Sequence, residues 1–240
     1  MIKNKQNGFT LIELSIVLII ISLIVGGIVG GKSLIKSAGL KSIISDIHKY
    51  KTTVNTFELQ YSALPGDINN ATEYWPTECV DLGLNPCDGN GDGIMGNYLL
   101  ESPRLWQHLA LSSIIEGTYD GSTNGSPSNI EELNNTYPSG ALESTYYIYN
   151  SNNSYNGKSG TILYISSNLI SGGFVTINAP LLSSGDMKSI DKKMDEGHAD
   201  AGYLRARSGS GVTNCLIGGG ATGDYDLSTT TKACVMFYFF

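Results

Sequence analysis

A basic stripe is missing from this sequence. Its 15 Lys and Arg residues face 22 Asp and Glu, and the formal charge is −7 with an isoelectric point of about 4.9. Nucleic-acid binding needs a clustered basic surface, so that function class is set aside. No cysteine pair has CxxC spacing, which removes the usual zinc and redox signatures. No GxSxG nucleophile elbow occurs, so a hydrolase has no anchor in the sequence. His48, His108 and His198 lack any spacing that suggests a catalytic or metal cluster. There is no internal repeat. A length of 240 residues allows one domain, or one domain plus a membrane segment.

What is present begins with an uneven charge distribution. Lys3 and Lys5 sit at the extreme N-terminus, whereas most carboxylates lie beyond residue 66. A basic end, an apolar run and an acidic remainder form the pattern of a chain whose N-terminus stays in the cytoplasm. From Phe9 to Gly31 the only charge is Glu13. That run is long enough to cross a bilayer as a helix, which takes about 20 apolar residues.

Lys32 closes the apolar run, but the helical period continues. Leu40, Ile43, Ile47, Tyr50, Val54, Phe57 and Tyr61 recur at spacings of three and four, with Lys41, Ser45, Asp46, His48, Lys49, Lys51 and Asn55 between them. This predicts one helix that changes from apolar all round to amphipathic, stopped by Pro65. Spanning Phe9 to about Tyr61, it would be roughly 80 Å long.

Beyond Pro65 the composition turns to Gly, Asn, Ser, Tyr and Thr. A second helix is expected from Ser102 to Ile115, with Ser102 as N-cap, Pro103 in the first turn and Gly117 at the end. Residues 118–160 read mostly as loops, with a strand at Ser144–Tyr149. Further strands are expected at Thr161–Ile165, Phe174–Ile177, Tyr203–Ala206 and Cys234–Phe239, and a short helix at Asp186–Glu196 ended by Gly197. Within that helix Asp191, Asp195 and Glu196 read as a solvated face.

The four cysteines are Cys79, Cys87, Cys215 and Cys234, two local pairs far apart in sequence. Four cysteines allow three pairings. In an oxidising compartment the simplest is Cys79 with Cys87 and Cys215 with Cys234; four free buried thiols would fit only a reducing cytosol.

An ordinary secretory signal is cut after its apolar core. Here the distinctive junction, Gly8–Phe9, precedes the core. The block Gly8-Phe9-Thr10-Leu11-Ile12-Glu13-Leu14 resembles the cleavage and methylation motif of type IV prepilins and type II secretion pseudopilins. The resemblance implies that a membrane prepilin peptidase cuts after Gly8 and methylates Phe9. Losing Lys3 and Lys5 takes the formal charge from −7 to about −9. A carboxylate in a membrane helix costs at least about 2.5–3.5 kcal/mol at mid-bilayer and needs a partner or a shallow position. Cutting after Gly8 sets Glu13 one helical turn from a charged amine at Phe9. The resemblance implies that Glu13 pairs with the freed amine of a neighbouring subunit during assembly. Without cleavage, Glu13 would simply snorkel in a signal anchor.

The resemblance is strong over residues 1–61. It continues more weakly through the Ala63-Leu64-Pro65-Gly66-Asp67 turn and the C-terminal cysteine pair. It departs at one place: many pilins carry a proline in the membrane half of this helix, where this chain has Gly26, Gly27, Gly30 and Gly31. Glycine costs about 1 kcal/mol against alanine in a helix interior, so this is where the helix is expected to stretch inside a filament. Residues 26–33 also match GxxxxGK[ST], the nucleotide-binding loop. They follow a membrane-length run, however, and no strand–helix alternation comes after them. The same glycines, spaced four apart, suit helix packing better.

The clearest chemistry elsewhere is residues 87–94, Cys-Asp-Gly-Asn-Gly-Asp-Gly-Ile. Asp88, Asn90 and Asp92 place oxygen side chains on alternate residues, and Ile94 can add its carbonyl. Hard oxygen donors without sulfur or imidazole suit Ca²⁺. The twelfth position of an EF-hand loop is Leu99 here, so Glu101 is the expected substitute, with Asp81 as another contributor. A turn that binds nothing has the same composition.

The expected architecture is therefore α+β and pilin-like. It comprises a leader (1–8), a membrane and assembly half-helix (9–31), an amphipathic half-helix (32–64) and an extracytoplasmic domain (65–240) built on a small antiparallel sheet. The resemblance implies a non-enzymatic filament subunit whose partners are other pilin or pseudopilin subunits, prepilin peptidase, the inner-membrane assembly machinery and the membrane itself. A membrane-anchored, calcium-dependent adhesive domain that never polymerises is the alternative, and a P-loop NTPase a remote one.

Overall fold

The computed structural model describes residues 9–79, 87–96, 101–121, 127–155, 158–171, 174–218 and 223–240. Its backbone is organised by one long helix, α1, Leu11–Tyr61. Thr10 caps it in extended conformation: its side chain accepts from the Glu13 N–H at 3.3 Å, and Glu13 Oε2 accepts from the Thr10 N–H at 2.8 Å. This reciprocal capping box satisfies two otherwise orphaned donors. At 51 residues α1 is about 77 Å long. It stops at Ser62, whose left-handed backbone (φ 52°) lets its N–H return to the Glu58 carbonyl. The chain thus leaves the helix three residues before Pro65.

Burial divides α1 in two. The large apolar side chains described from Phe9 to Ile35 are exposed. From Leu40 onward the expected stripe is buried: Leu40, Ile43, Ile47, Tyr50, Val54 and Phe57 all enter the main core. Each such side chain contributes roughly 1.5–3 kcal/mol when fully buried. Among the described residues the membrane-length half therefore has no apolar cover.

The buried stripe packs beside a five-stranded antiparallel sheet made of β1 (Thr145–Tyr155), β2 (Lys158–Ser171), β3 (Phe174–Ala179), β4 (Leu204–Ser208) and β5 (Cys234–Phe239). The order is β1-β2-β5-β4, with β3 pairing the distal half of β2. Tyr146 on β1 stacks edge-on against Tyr50 and donates its hydroxyl to Asp46, so one sheet face is registered on α1. Among the described residues four shorter helices accompany the sheet, α2 (Ala71–Tyr74), α3 (Glu101–Leu111), α4 (Ile130–Thr136) and α5 (Ser184–Met194), together with a 3₁₀ turn at Ala141–Glu143. This is the α+β, pilin-like architecture expected.

Several expectations need correction. Ser102 lies inside α3 and does not cap it, and α3 ends at Leu111, well before Gly117. Ser113, left-handed at φ 58°, follows soon after that end. The stretch 118–160 contains, besides the expected strand, the helix α4; that strand is longer, with β1 running on to Tyr155, and β2 begins at Lys158. Strand β2 runs 14 residues because its two halves pair with different partners, β1 and β5 first and β3 later.

Candidate functional site

At the N-terminal end, Phe9 is 88% exposed and Glu13 is held by Thr10 through both the backbone N–H and the hydroxyl, each at 2.8 Å from Oε2. Gly8 lies outside the described residues. Helix α1 continues unbroken through residues 26–33, so the GxxxxGKS stretch forms no phosphate-cradling loop. The loop that the nucleotide-binding alternative needs is therefore not formed at these residues. A methyl group added to Gly26, Gly27, Gly30 or Gly31 would meet nothing within 4 Å. Among the described residues, therefore, the small size of these glycines serves no packing.

At the other end of α1 the Gly66–Asp67 turn and the 87–94 loop interlock. The N–H of Gly89 donates to the Ile68 carbonyl and that of Gly91 to the Asp67 carbonyl, both at 2.8 Å. A methyl group at Gly89 would sit 2.4 Å from the Asp67 carbonyl carbon, so only glycine allows this approach. The Asp67 carboxylate, which is buried, accepts from the Asp92 N–H at 3.0 Å and the Gly93 N–H at 2.9 Å. Beneath lies His108 on α3. Its Nδ1 accepts from the Gly66 N–H at 2.9 Å, and its Nε2 faces the Cys87 carbonyl at 2.7 Å. The acceptor role of Nδ1 and the donor role of Nε2 together require the neutral ring. Burial first, and Arg104 after it, bring the His108 pKa down to about 4 against the opposing Cys87 carbonyl and Asp88. Phe57 and Trp75 lie against the same ring.

The proposed calcium donors Asp88, Asn90, Asp92 and Glu101 each make a hydrogen bond within the chain. Asp88 Oδ1 accepts from the Thr72 N–H and hydroxyl, each at 2.8 Å. Asn90 and Asp92 form an Asx-type turn, in which the Asn90 side chain accepts the Asp92 N–H at 2.9 Å and Asp92 accepts the Ile94 N–H at 2.9 Å. Glu101 accepts from Gly96; burial raises its pKa, and nearby Asp67 and Asp92 add to the rise. Among the described residues no three His, Cys, Asp or Glu side chains converge on one point. Asp81 and Leu99 lie outside the described residues. Sequence reasoning missed both Asp67 and His108, because 25 and 42 residues separate them from their respective partners at Asp92 and Gly66 and no local motif links them.

Both disulfides form as the simplest pairing expects, Cys79–Cys87 and Cys215–Cys234, with Cα separations of 5.5 and 4.9 Å. The first belongs to a small core with Ile68 and Ala71, beside the clasp that the interlocked Gly66–Asp67 turn and 87–94 loop form over His108. Loops of these lengths give about 2–3 kcal/mol each in the chain-entropy picture. In the second acidic group Glu196 is exposed as expected, whereas Asp191 is not part of a solvated face. Asp191 is fully buried, where its carboxylate accepts from the Tyr225 hydroxyl at 2.6 Å and the Gly197 N–H at 3.2 Å. Asp195 accepts from the Tyr203 and Leu204 N–H groups. These carboxylates fasten loops to α5.

Residues 3–29 match the prokaryotic N-terminal methylation motif, the prepilin-type signature. No curated protein and no solved structure matches the chain.

Proposed function

We propose that a chain with this signature, this exposed apolar half-helix and this compact second half works as a structural filament subunit. It is a pilin of a type IV pilus or a pseudopilin of a type II secretion pseudopilus, and catalyses nothing. The observation that carries the reading is the register of the motif. Glycine, phenylalanine and glutamate stand at Gly8, Phe9 and Glu13, and an apolar helix follows at once.

In this reading the unprocessed chain sits in the bacterial inner membrane with residues 9–31 across the bilayer and the domain in the periplasm. Prepilin peptidase removes residues 1–8, Phe9 becomes the methylated terminus, and the assembly machinery passes the subunit into the filament. The apolar face of α1 exchanges lipid for the helices of other subunits. Glu13 exchanges the Thr10 cap for a neighbour's ammonium group, a charge-assisted contact in a low-dielectric setting. Such assembly is heterologous and open-ended. A calcium ion at the 88–94 loop would have a structural role, and Asp67, which accepts from the Asp92 and Gly93 amides, is a further oxygen donor beside that loop.

Mass spectrometry of the N-terminal peptide tests the proposal. N-methyl-Phe9 is the expected terminus. Met1 retained on the membrane-inserted protein would indicate a plain anchor and remove the filament reading.

A further inference from the structure

Helix α1 carries the base of the domain close to the bilayer. Gly31 ends the apolar run, and Lys36 and Gly39 follow it at rises of about 8 and about 12 Å. The headgroup layer on each side of a bilayer is about 5–8 Å deep. Apolar surface continues into that layer, since Leu34 and Ile35, beyond Lys32, are 73% and 71% exposed. At this level the domain meets α1 through Asp186 of α5, paired with Lys36 at 2.7 Å, and through Leu142 of the 3₁₀ turn, which covers Gly39. Between these contacts opens a groove of about 390 Å³, within the range of about 300–1,000 Å³ usual for small-ligand sites. Leu142, Leu181 and Leu182 supply its apolar lining.

The charged lining is neutral as a whole. Lys36 pairs with Asp186, and Lys232 pairs with Glu143 at 3.0 Å. Such a lining favours neither a plain anion nor a plain cation. It suits a ligand with one charge of each sign a few bonds apart. The anionic group takes a lysine from its carboxylate, and the cationic group takes the carboxylate so released. Three of the four side chains are more than half exposed, so these pairs exchange partners at little cost. A freed carboxylate accepts N–H donors, which a primary ammonium supplies and a quaternary one lacks. Leu142 and Glu143 both hold left-handed backbone, φ 60° and 67°, an outlier of the kind that gathers at ligand sites.

We infer that the groove seats the headgroup of a zwitterionic phospholipid of the surrounding bilayer, one that carries a primary amine. The phosphate lies with Lys36 and Lys232, and the ammonium with Glu143 and Asp186. The glycerol end lies on the three leucines, and the acyl chains follow Ile35 and Leu34 down α1. The inference rests on the proposed placement of residues 9–31 across the bilayer. The contact is weak alone, but α1 tethers the groove where lipid is always within reach, so its effective concentration is high. A single helix leaves the domain free to lean in any direction, and an anchor at the interface fixes that lean.

The test reconstitutes the full chain into phosphatidylcholine vesicles carrying a trace of photoreactive phosphatidylethanolamine or phosphatidylglycerol, with the reactive group near the glycerol. Peptide mass spectrometry then locates the label. Phosphatidylethanolamine should mark residues 141–143 or 181–186 at least about fivefold more than phosphatidylglycerol does. Glu143→Gln with Asp186→Asn leaves the lysines unopposed and should invert that preference. Glu143→Gln and Lys232→Gln alone change only exposed side chains, so folding is not at issue, and each should lower the phosphatidylethanolamine label at least about twofold. Label confined to α1, equal labelling by the two lipids, or full labelling of both single variants overturns the seat. Flotation separates this from failure of the membrane placement. Vesicles that float without the protein overturn that placement, whereas protein that floats with its groove unlabelled overturns the seat alone.

Discussion

Acidification should weaken this domain through His108 in a measurable way. In the unfolded chain the imidazole titrates near its ordinary value of 6.5, whereas in the fold burial lowers it to about 4. The folded pKa is the lower of the two, so the neutral ring's contribution is complete above 6.5 and is lost as pH falls toward 4. Over that window only the unfolded state takes up the proton. Each tenfold rise in proton concentration below 6.5 costs about 1.4 kcal/mol, so the loss is about 2 kcal/mol at pH 5 and on the order of 3 kcal/mol by pH 4. The geometry gives the reason, since a protonated Nδ1 would aim a second donor at the Gly66 N–H. Urea unfolding of the detergent-solubilised chain, followed by tryptophan fluorescence at pH 7.5 and pH 5, measures it. Trp75 reports locally, with its ring 5.6 Å from that of His108. His108→Asn keeps an acceptor near Gly66 and cannot charge. Its carboxylates titrate as in the parent, so the difference between the two slopes isolates the histidine. The parent should lose about 2 kcal/mol more than the variant between the two pH values. Equal losses would refute the clasp as described.

Asp67→Ala removes a buried carboxylate that holds two amides, and should cost about 2–4 kcal/mol in the same unfolding assay. A loss within about 0.5 kcal/mol would show that the loop holds itself. Calcium titrated into the chain by calorimetry should release or absorb heat that Asp92→Ala abolishes; no heat in the parent would remove the ion and leave Asp67 to fasten the loop. In an assembled fibre imaged at high resolution, α1 should be stretched at Gly26–Gly31; a continuous helix there would remove that expectation.

Much of the architecture was legible in the sequence where one physical signal dominates. The seam of α1 follows from its period, β5 runs from Cys234 to Phe239 as its β-branched and aromatic residues suggest, and both disulfides join sequence neighbours. Legibility failed where tertiary pairing overrides composition. The second half of β1 is rich in Asn and Ser, and is a strand because β2 supplies its ladder. Helix α4 did carry a local signal: Asn129 accepts from the Glu132 N–H, and Ser128 binds the Glu132 side chain. Weighing that spacing of three would have recovered it. Asp67 and His108 carried no such signal, because their partners arrive only when the turn and the loop meet. The N-terminal site is the reverse case, read from sequence by register alone.

The unbroken rod of α1 has a mechanical consequence. A pull applied at Leu11 reaches Tyr61 with little damping wherever the helix is braced by the domain, because side chains from Leu40 to Phe57 are locked into a dense interior. Glycine is about 1 kcal/mol poorer than alanine in a helix, so give is expected in the four glycines below Lys32, where an added methyl meets nothing within 4 Å. Under tension the subunit would lengthen there, as a spring placed beneath a rigid block, and the crest around Asp67 would travel without changing shape.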